Sequence, residues 1–303
     1  MNRTFGQLLV SLAWFLVVNV SSAQSPIEPG ARVRQLASGF RFTEGPTADA
    51  AGNVFFTDQP NDRIHRWSVD GKLTTFLEPA GRSNGLYFDR DGQLWACADE
   101  KNELWKIDPV SKKITVMIRE FDGKRLNGPN DVWVSPSARV YFTDPFYKRP
   151  YWKRGPEEQA KRGLYRLDRG KLEMLDGDFA QPNGIVGSAD GKLLYVADIG
   201  KGRTYAYDIE EDGSLKNRRT VIAMGSDGMT IDMAGNLYLT GKGVTVVSPE
   251  GKVLERIPVP ERWTANVCFG GTDRKTLFIT ASQGLYAIPT RIAGVGGPSP
   301  DKP

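Results

Sequence analysis

Six polar residues stand at matched places along this chain, and together their side chains could bind a cation. Glu44, Asn84, Asn130, Asn183, Asp227 and Asn266 each open a segment that closes 14 or 15 residues later, at Asp58, Asp99, Asp144, Asp198, Gly241 and Ala281. Two carboxylates among four amides, with no His or Cys, form a set of oxygen donors that suits a hard ion such as Ca²⁺ better than Zn²⁺. Mg²⁺ and Mn²⁺ accept the same donors. Without a cation, Glu44 and Asp227 would face each other unpaired, and one of them would be expected to take up a proton. Asn-Gly and Asp-Gly pairs also form turns, so no single member carries the inference. The common register of all six does.

Each polar start opens an apolar run, then a turn such as Ala51-Gly52-Asn53, Asp91-Gly92-Gln93 or Asp190-Gly191-Lys192, then a second apolar run. Two further strands follow, as in Arg63 to Trp67 and Leu73 to Leu77 around Asp70-Gly71. Successive segment ends lie 41, 45, 54, 43 and 40 residues apart. Four strands per repeat at that period predict an all-β, six-bladed β-propeller. The strand expected between Arg32 and Phe42 precedes the first polar start and would complete the last blade. In such a ring the six polar starts meet at one end of the central channel. The longest interval holds Asp144-Pro145-Phe146-Tyr147 and the aromatic and basic stretch Lys148 to Gln159, a candidate rim or a solvated excursion. Asp58, Asp99, Asp144 and Asp198 make a second column, expected to satisfy turn amides.

Composition narrows the function. A net charge of +4 over 303 residues, with basic residues scattered among carboxylates, argues against nucleic acid as a partner. Residues 1–23 read as a secretory signal: Arg3, an apolar run from Leu8 to Val20, and Ser21-Ser22-Ala23 before the expected cleavage point. That predicts a periplasmic or secreted protein with no membrane association after cleavage. The propeller is expected over 24–293, with a disordered tail over 294–303 that carries Pro298, Pro300 and Pro303. Cys97 and Cys268 fall in core strands and are read as buried free thiols, with a single disulfide as the alternative. The one histidine, His65, falls in a third strand away from the channel, so a Ser-His-Asp triad has no base.

Glu44-Gly45-Pro46, Asn127-Gly128-Pro129-Asn130-Asp131, Phe142-Thr143-Asp144-Pro145, Gln181-Pro182-Asn183-Gly184-Ile185 and Ser226-Asp227-Gly228-Met229 resemble the signature blocks of the senescence marker protein/gluconolactonase (regucalcin-like) family. The resemblance spans roughly residues 40 to 290 and is strongest to its bacterial gluconolactonase branch. It implies a metal-dependent hydrolase that opens a sugar lactone by attack of a metal-activated water. Carried over by motif, the ligands of one divalent cation would be Glu44, Asn183 and Asp227, with Asn130 at or beside it. Ca²⁺ is the first choice and Mg²⁺, Mn²⁺ or Zn²⁺ the alternatives. Asp227 would be the general base, and Asn84, Asn127, Asn266, Arg82 and Tyr147 would hold or cover the sugar. Two rivals keep the same site: another esterase or phosphotriesterase, and a non-catalytic propeller that binds a sugar or a protein.

Overall fold

The computed structural model describes residues 25–297; the segment read as a signal and the last six residues lie outside them. Six antiparallel four-stranded sheets follow one another along the chain. Their innermost strands are Thr43–Ala48, Ser83–Phe88, Val132–Val134, Pro182–Gly187, Met229–Ile231 and Thr264–Gly270, in blades 1 to 6. Blade 6 draws its outer strand from the start of the chain, because Arg34–Ser38 pairs with Gly284–Pro289. This is the closed six-bladed β-propeller that the period predicts. Closure packs the faces of the first and last blades against each other, while each blade keeps one short outer edge strand.

The burial gradient across a blade explains the sequence gradient. Second strands such as Val54–Asp58, Leu94–Ala98 and Val140–Asp144 are buried at every position, because both faces press on neighbouring blades. Their sequences are therefore nearly continuous apolar runs. Outer strands such as Leu73–Leu77 and Ile114–Ile118 are partly or fully exposed at most positions. Cys97 and Cys268 are buried and unpaired. His65 is buried with its ring centroid 5.1 Å from Phe40 and 5.4 Å from Phe56, a packing position.

One expectation fails at the C-terminus. The sequence predicts disorder from Gly294, yet Gly294 pairs with Asp232, and the Val295 amide donates to the Ile231 carbonyl at 2.9 Å. Gly294 can lie there because it has no side chain: a Cβ would fall 2.0 Å from the Phe269 ring. Val295, Gly296 and Gly297 then line a cavity together with Tyr87, Trp133 and Arg274 that none of the polar starts reaches. Proline content misled the reading, because the prolines all follow the docked stretch.

Candidate active site

The pairs that looked like turn formers are not in turns. Gly45, Gly85 and Gly184 lie within inner strands, each directly after a polar start, and Gly228 follows Asp227 directly before the inner strand Met229–Ile231. Each presses on the next blade. A Cβ on Gly45 would meet the Asn84 carbonyl at 2.0 Å, one on Gly85 the Asn130 carbonyl at 2.6 Å, one on Gly184 the Asp227 carbonyl at 2.9 Å, and one on Gly228 the Asn266 Cγ at 1.9 Å. Absence of a side chain lets adjacent polar starts close into a ring. Strand register slips at the same point in blades 1, 2, 4 and 6, between Glu44 and Thr47, Ser83 and Leu86, Pro182 and Ile185, and Thr264 and Asn266. Bulges of this kind re-aim side chains next to functional sites. Threonines of the second strands tie the ring from outside: Thr57 Oγ1 donates to the Asn84 carbonyl at 3.1 Å and Thr143 Oγ1 to the Asn183 carbonyl at 2.8 Å.

Asn183 and Asp227 are in direct contact. The Asn183 Nδ2 donates to Asp227 Oδ1 and to the Tyr147 hydroxyl, both at 2.8 Å. The other oxygen of Asp227 accepts the Trp263 indole N–H at 2.6 Å. Glu44 accepts the Gly45 amide at 2.9 Å and lies close enough to Asp227 and Asp131 for their charges to act on it. Asn266 reaches across the channel from blade 6 to blade 3, its Nδ2 lying 3.4 Å from Asp131 Oδ2. Thus Glu44, Asn183, Asp227, Asn266 and Tyr147 belong to one group.

The remaining predicted residues are placed differently. Asn130 and Asn84 are buried in the ring, where Asn130 holds the Gly85 amide on its carbonyl at 2.7 Å. Asn127 is fully buried behind the ring, with its amide nitrogen on the Lys161 carbonyl at 3.2 Å; it braces the loop that follows blade 3's second strand. Arg82 donates to the Pro60 carbonyl at 2.6 Å and stacks 4.5 Å from the Tyr151 ring centroid, so its guanidinium is engaged at the rim.

Two residues were not singled out from the sequence. Asp131 follows a polar start rather than occupying one, and only the three-dimensional ring shows that its carboxylate enters the channel. The signal was there in principle, since four of the six residues following a polar start are glycine and Asp131 is the only charged one. Trp263 lies on the loop before blade 6, where no strand periodicity marks it.

Burial raises the carboxyls of this cluster, as it also raises Asp99 and Asp144 outside it. Burial pushes Asp131 up to about 8 and Asp227 up to about 6, and raises Glu44 well above the usual carboxylate range. Hydrogen bonds from Trp263 and Asn183, and then the charge of Arg149, hold Asp227 down against that burial. Three buried carboxylates with so little positive charge beside them form a site whose chemistry fits a cation. Among the described residues, however, no three His, Cys, Asp or Glu side chains converge closely enough to hold an ion by themselves. Amide oxygens, from Asn183 first of all, would have to complete the shell, as is usual for a hard cation.

The chain matches the SMP-30/Gluconolactonase/LRE-like region over residues 42–283. It belongs to that family. Among its relatives is a gluconolactonase of Zymomonas mobilis, 31% identical over 294 residues that cover 86% of this chain and 82% of the relative. A solved gluconolactonase from Xanthomonas campestris superposes with a TM-score of 0.81 at 27% identity, covering 88% of this chain and 91% of that one. The calcium-binding protein regucalcin from Agrobacterium tumefaciens shares the fold, with a TM-score of 0.74 at 20% identity, covering 91% of this chain and 99% of that one. Membership agrees with the motif blocks, which fall on the inner strands and their approaches and, for Phe142 to Pro145, on the end of blade 3's second strand.

Proposed function

We propose that this protein is a lactone hydrolase that opens a sugar lactone of the gluconolactone type at the mouth of the channel. The observation that carries the reading is the contact between Asp227, Asn183 and Tyr147, beside Glu44, which joins the starts of three blades to the insertion after blade 3's second strand. Family relatives named gluconolactonase support the substrate class.

Glu44, Asn183 and Asp227 would hold one divalent cation, with Asn130 beside it, and Ca²⁺ suits the all-oxygen donors best. When bound, such an ion supplies Lewis-acid charge for the lactone carbonyl oxygen. Asp227 serves as general base toward the attacking water. Burial lifts its carboxyl to about 6 before any ion binds, and a bound cation would draw it down and keep it ionised at neutral pH. Trp263 keeps that carboxylate oriented through its indole N–H, and Tyr147 and Asn266 present polar atoms to the sugar hydroxyls. Ring opening yields the free hydroxy acid, so every turnover releases a proton. On this reading the reaction would run outside the cytoplasm, following the leader read over residues 1–23.

A pH-stat assay with D-glucono-1,5-lactone, after chelation and after return of Ca²⁺, Mg²⁺, Mn²⁺ or Zn²⁺, tests the proposal. Turnover that vanishes with chelator, returns with a divalent ion, and is lost in Asp227→Asn is the expected result. Turnover that ignores chelator and persists in Asp227→Asn would overturn it.

A further inference from the structure

In four blades an aspartate ends the second strand or directly follows it, and the repeats supply their own control for what that residue does. In three blades the carboxylate binds backbone amides just ahead of the same blade's inner strand. Asp58 Oδ1 accepts from the Arg41 and Phe42 amides at 3.1 and 3.2 Å, and the Asp144 carboxylate accepts from Asn127 and Gly128 at 2.8 and 2.7 Å. Asp198 accepts from Ala180 and Gln181, both at 2.9 Å. These contacts confirm the expected structural role for three members of the column.

Asp99 departs from it. In blade 2 the corresponding approach, at Ala80 and Arg82, is held instead by Asp62, whose Oδ1 accepts both amides at 3.0 and 2.6 Å. Asp99 is thereby released from the work of its counterparts. Its Oδ2 accepts from Arg149 Nε at 3.2 Å, from Gln59 Nε2 at 3.3 Å and from the Tyr151 hydroxyl. Its backbone carbonyl accepts the Trp152 indole N–H at 2.8 Å. Three side chains of the long insertion after blade 3's second strand therefore reach back to one residue of blade 2.

That anchor points at the active site. Arg149 lies with its guanidinium carbon 5.2 Å from the centre of the Tyr147 ring, and the Tyr147 hydroxyl accepts from Asn183, which holds Asp227. We propose that Asp99 is a positioning residue, which fixes the insertion through Arg149 and Tyr151 and so sets Tyr147 over the substrate. The inference rests on the lactonase reading above for what Tyr147 does, but not for where it is held.

Two measurements on the full chain separate those parts. Hydrogen exchange read by mass spectrometry should show residues 145–162 losing protection in Asp99→Ala and in the milder Asp99→Asn, while Asp58→Ala leaves that segment protected. In turnover of D-glucono-1,5-lactone, Asp99→Ala should raise KM by about 10-fold with kcat changed by less than about 3-fold. Added to Tyr147→Phe it should raise KM by less than about 2-fold more, because the two substitutions break one connection. Unchanged exchange over 145–162 in both Asp99 variants, or effects on KM that multiply independently, would overturn the proposal. Loss of protection in a protein that turns over no lactone would instead refute the assigned reaction and leave the anchor standing.

Discussion

Placing an alanine at Gly228 tests the ring directly, because the perturbation is a single methyl group at a known distance. A Cβ there would sit 1.9 Å from Asn266 Cγ, 2.0 Å from its Oδ1 and 2.3 Å from its Nδ2. Non-bonded carbons normally approach to about 3.5–4.0 Å, so the two blades must part by roughly 1.5 Å or Asn266 must turn away. Turning is hindered. Asn266 is buried, its Oδ1 accepts the Val267 amide at 2.8 Å, and its Nδ2 faces Asp131 across the channel. Overpacking of this kind costs about 1–3 kcal/mol, and a buried amide stripped of its partners adds about as much again. At about 2–4 °C per kcal/mol for a domain of this size, Tm should fall by roughly 5–15 °C. Gly155→Ala is the comparison, since nothing lies within 4 Å of its added Cβ; its stability should stay within about 0.5 kcal/mol of the parent. Scanning calorimetry of Gly228→Ala, Gly155→Ala and Gly228→Ala/Asn266→Ala checks the reasoning, and the double variant should recover part of the loss because it removes the atoms struck. A Gly228→Ala protein that melts with the parent would refute the close-packed ring of polar starts.

Other perturbations probe charge and chemistry. A raised carboxyl stabilises the folded state below its unfolded value, and that stability is lost as pH rises through the folded one; for Asp131 the window runs from about 4 to about 8. In chelator, Asp131→Asn should therefore be more stable than the parent at pH 8 by about a few kcal/mol, with a smaller gap at pH 5, and parallel Tm curves would count against the buried charge. Saturating Ca²⁺ should raise the parent's Tm at pH 8 more than at pH 5, where protons compete for the same oxygens. Trp263→Phe removes the indole N–H that lowers Asp227, so the acid limb of the kcat/KM profile should move to higher pH by about one unit or less. His65→Phe should leave turnover unchanged and shift stability by about 1 kcal/mol or less, since the ring only packs between Phe40 and Phe56.

The fold was legible because a propeller repeats its buried parts. Val54–Asp58, Leu94–Ala98 and Val140–Asp144 occupy equivalent surroundings, so the same apolar run with a polar end recurs at blade spacing. Closure by Arg34–Ser38 was legible too, as a strand left over before the first repeat. What escaped is whatever departs from the repeat. Asp131 is off register by one residue, Trp263 comes from a loop, and Asp99 shares its position with Asp58 and Asp144 but not their partners. Asn-Gly pairs were legible as pairs and misjudged in kind: φ is +44° at Gly45, yet what removes the side chain at Gly228 is the neighbouring Asn266. A sequence shows that a glycine is present, and only the packing shows which of two reasons applies.

The ring and the second aspartate column together indicate how one scaffold tolerates an unfavourable centre. Glu44, Asp131 and Asp227 all sit where burial opposes their charge, and their mutual repulsion is kept in place by contacts that lie outside the channel. Thr57 and Thr143 bind carbonyls of the next blade's polar start, while Asp58, Asp144 and Asp198 bind the approach of their own. Neither set touches the carboxylates that would hold an ion, so the geometry is retained whether the centre is protonated or charged. Blade 2 shows the limit of this division. It has Ala98 where blades 1 and 3 have the threonine, and its aspartate faces the insertion, so the only blade with Asp99 bound to Arg149 has given up both scaffold contacts. Those losses are offset by Asp62, which comes from blade 1's loop and holds Ala80 and Arg82. Substituting Asp62 by Ala should consequently loosen blade 2 and draw Asp99 back toward the vacated amides, opening residues 145–162 to exchange even though Asp62 touches none of them. An Asp62→Ala protein in which exchange rises only around Ala80 and Arg82 would show that Asp99 is committed to the insertion independently of the scaffold.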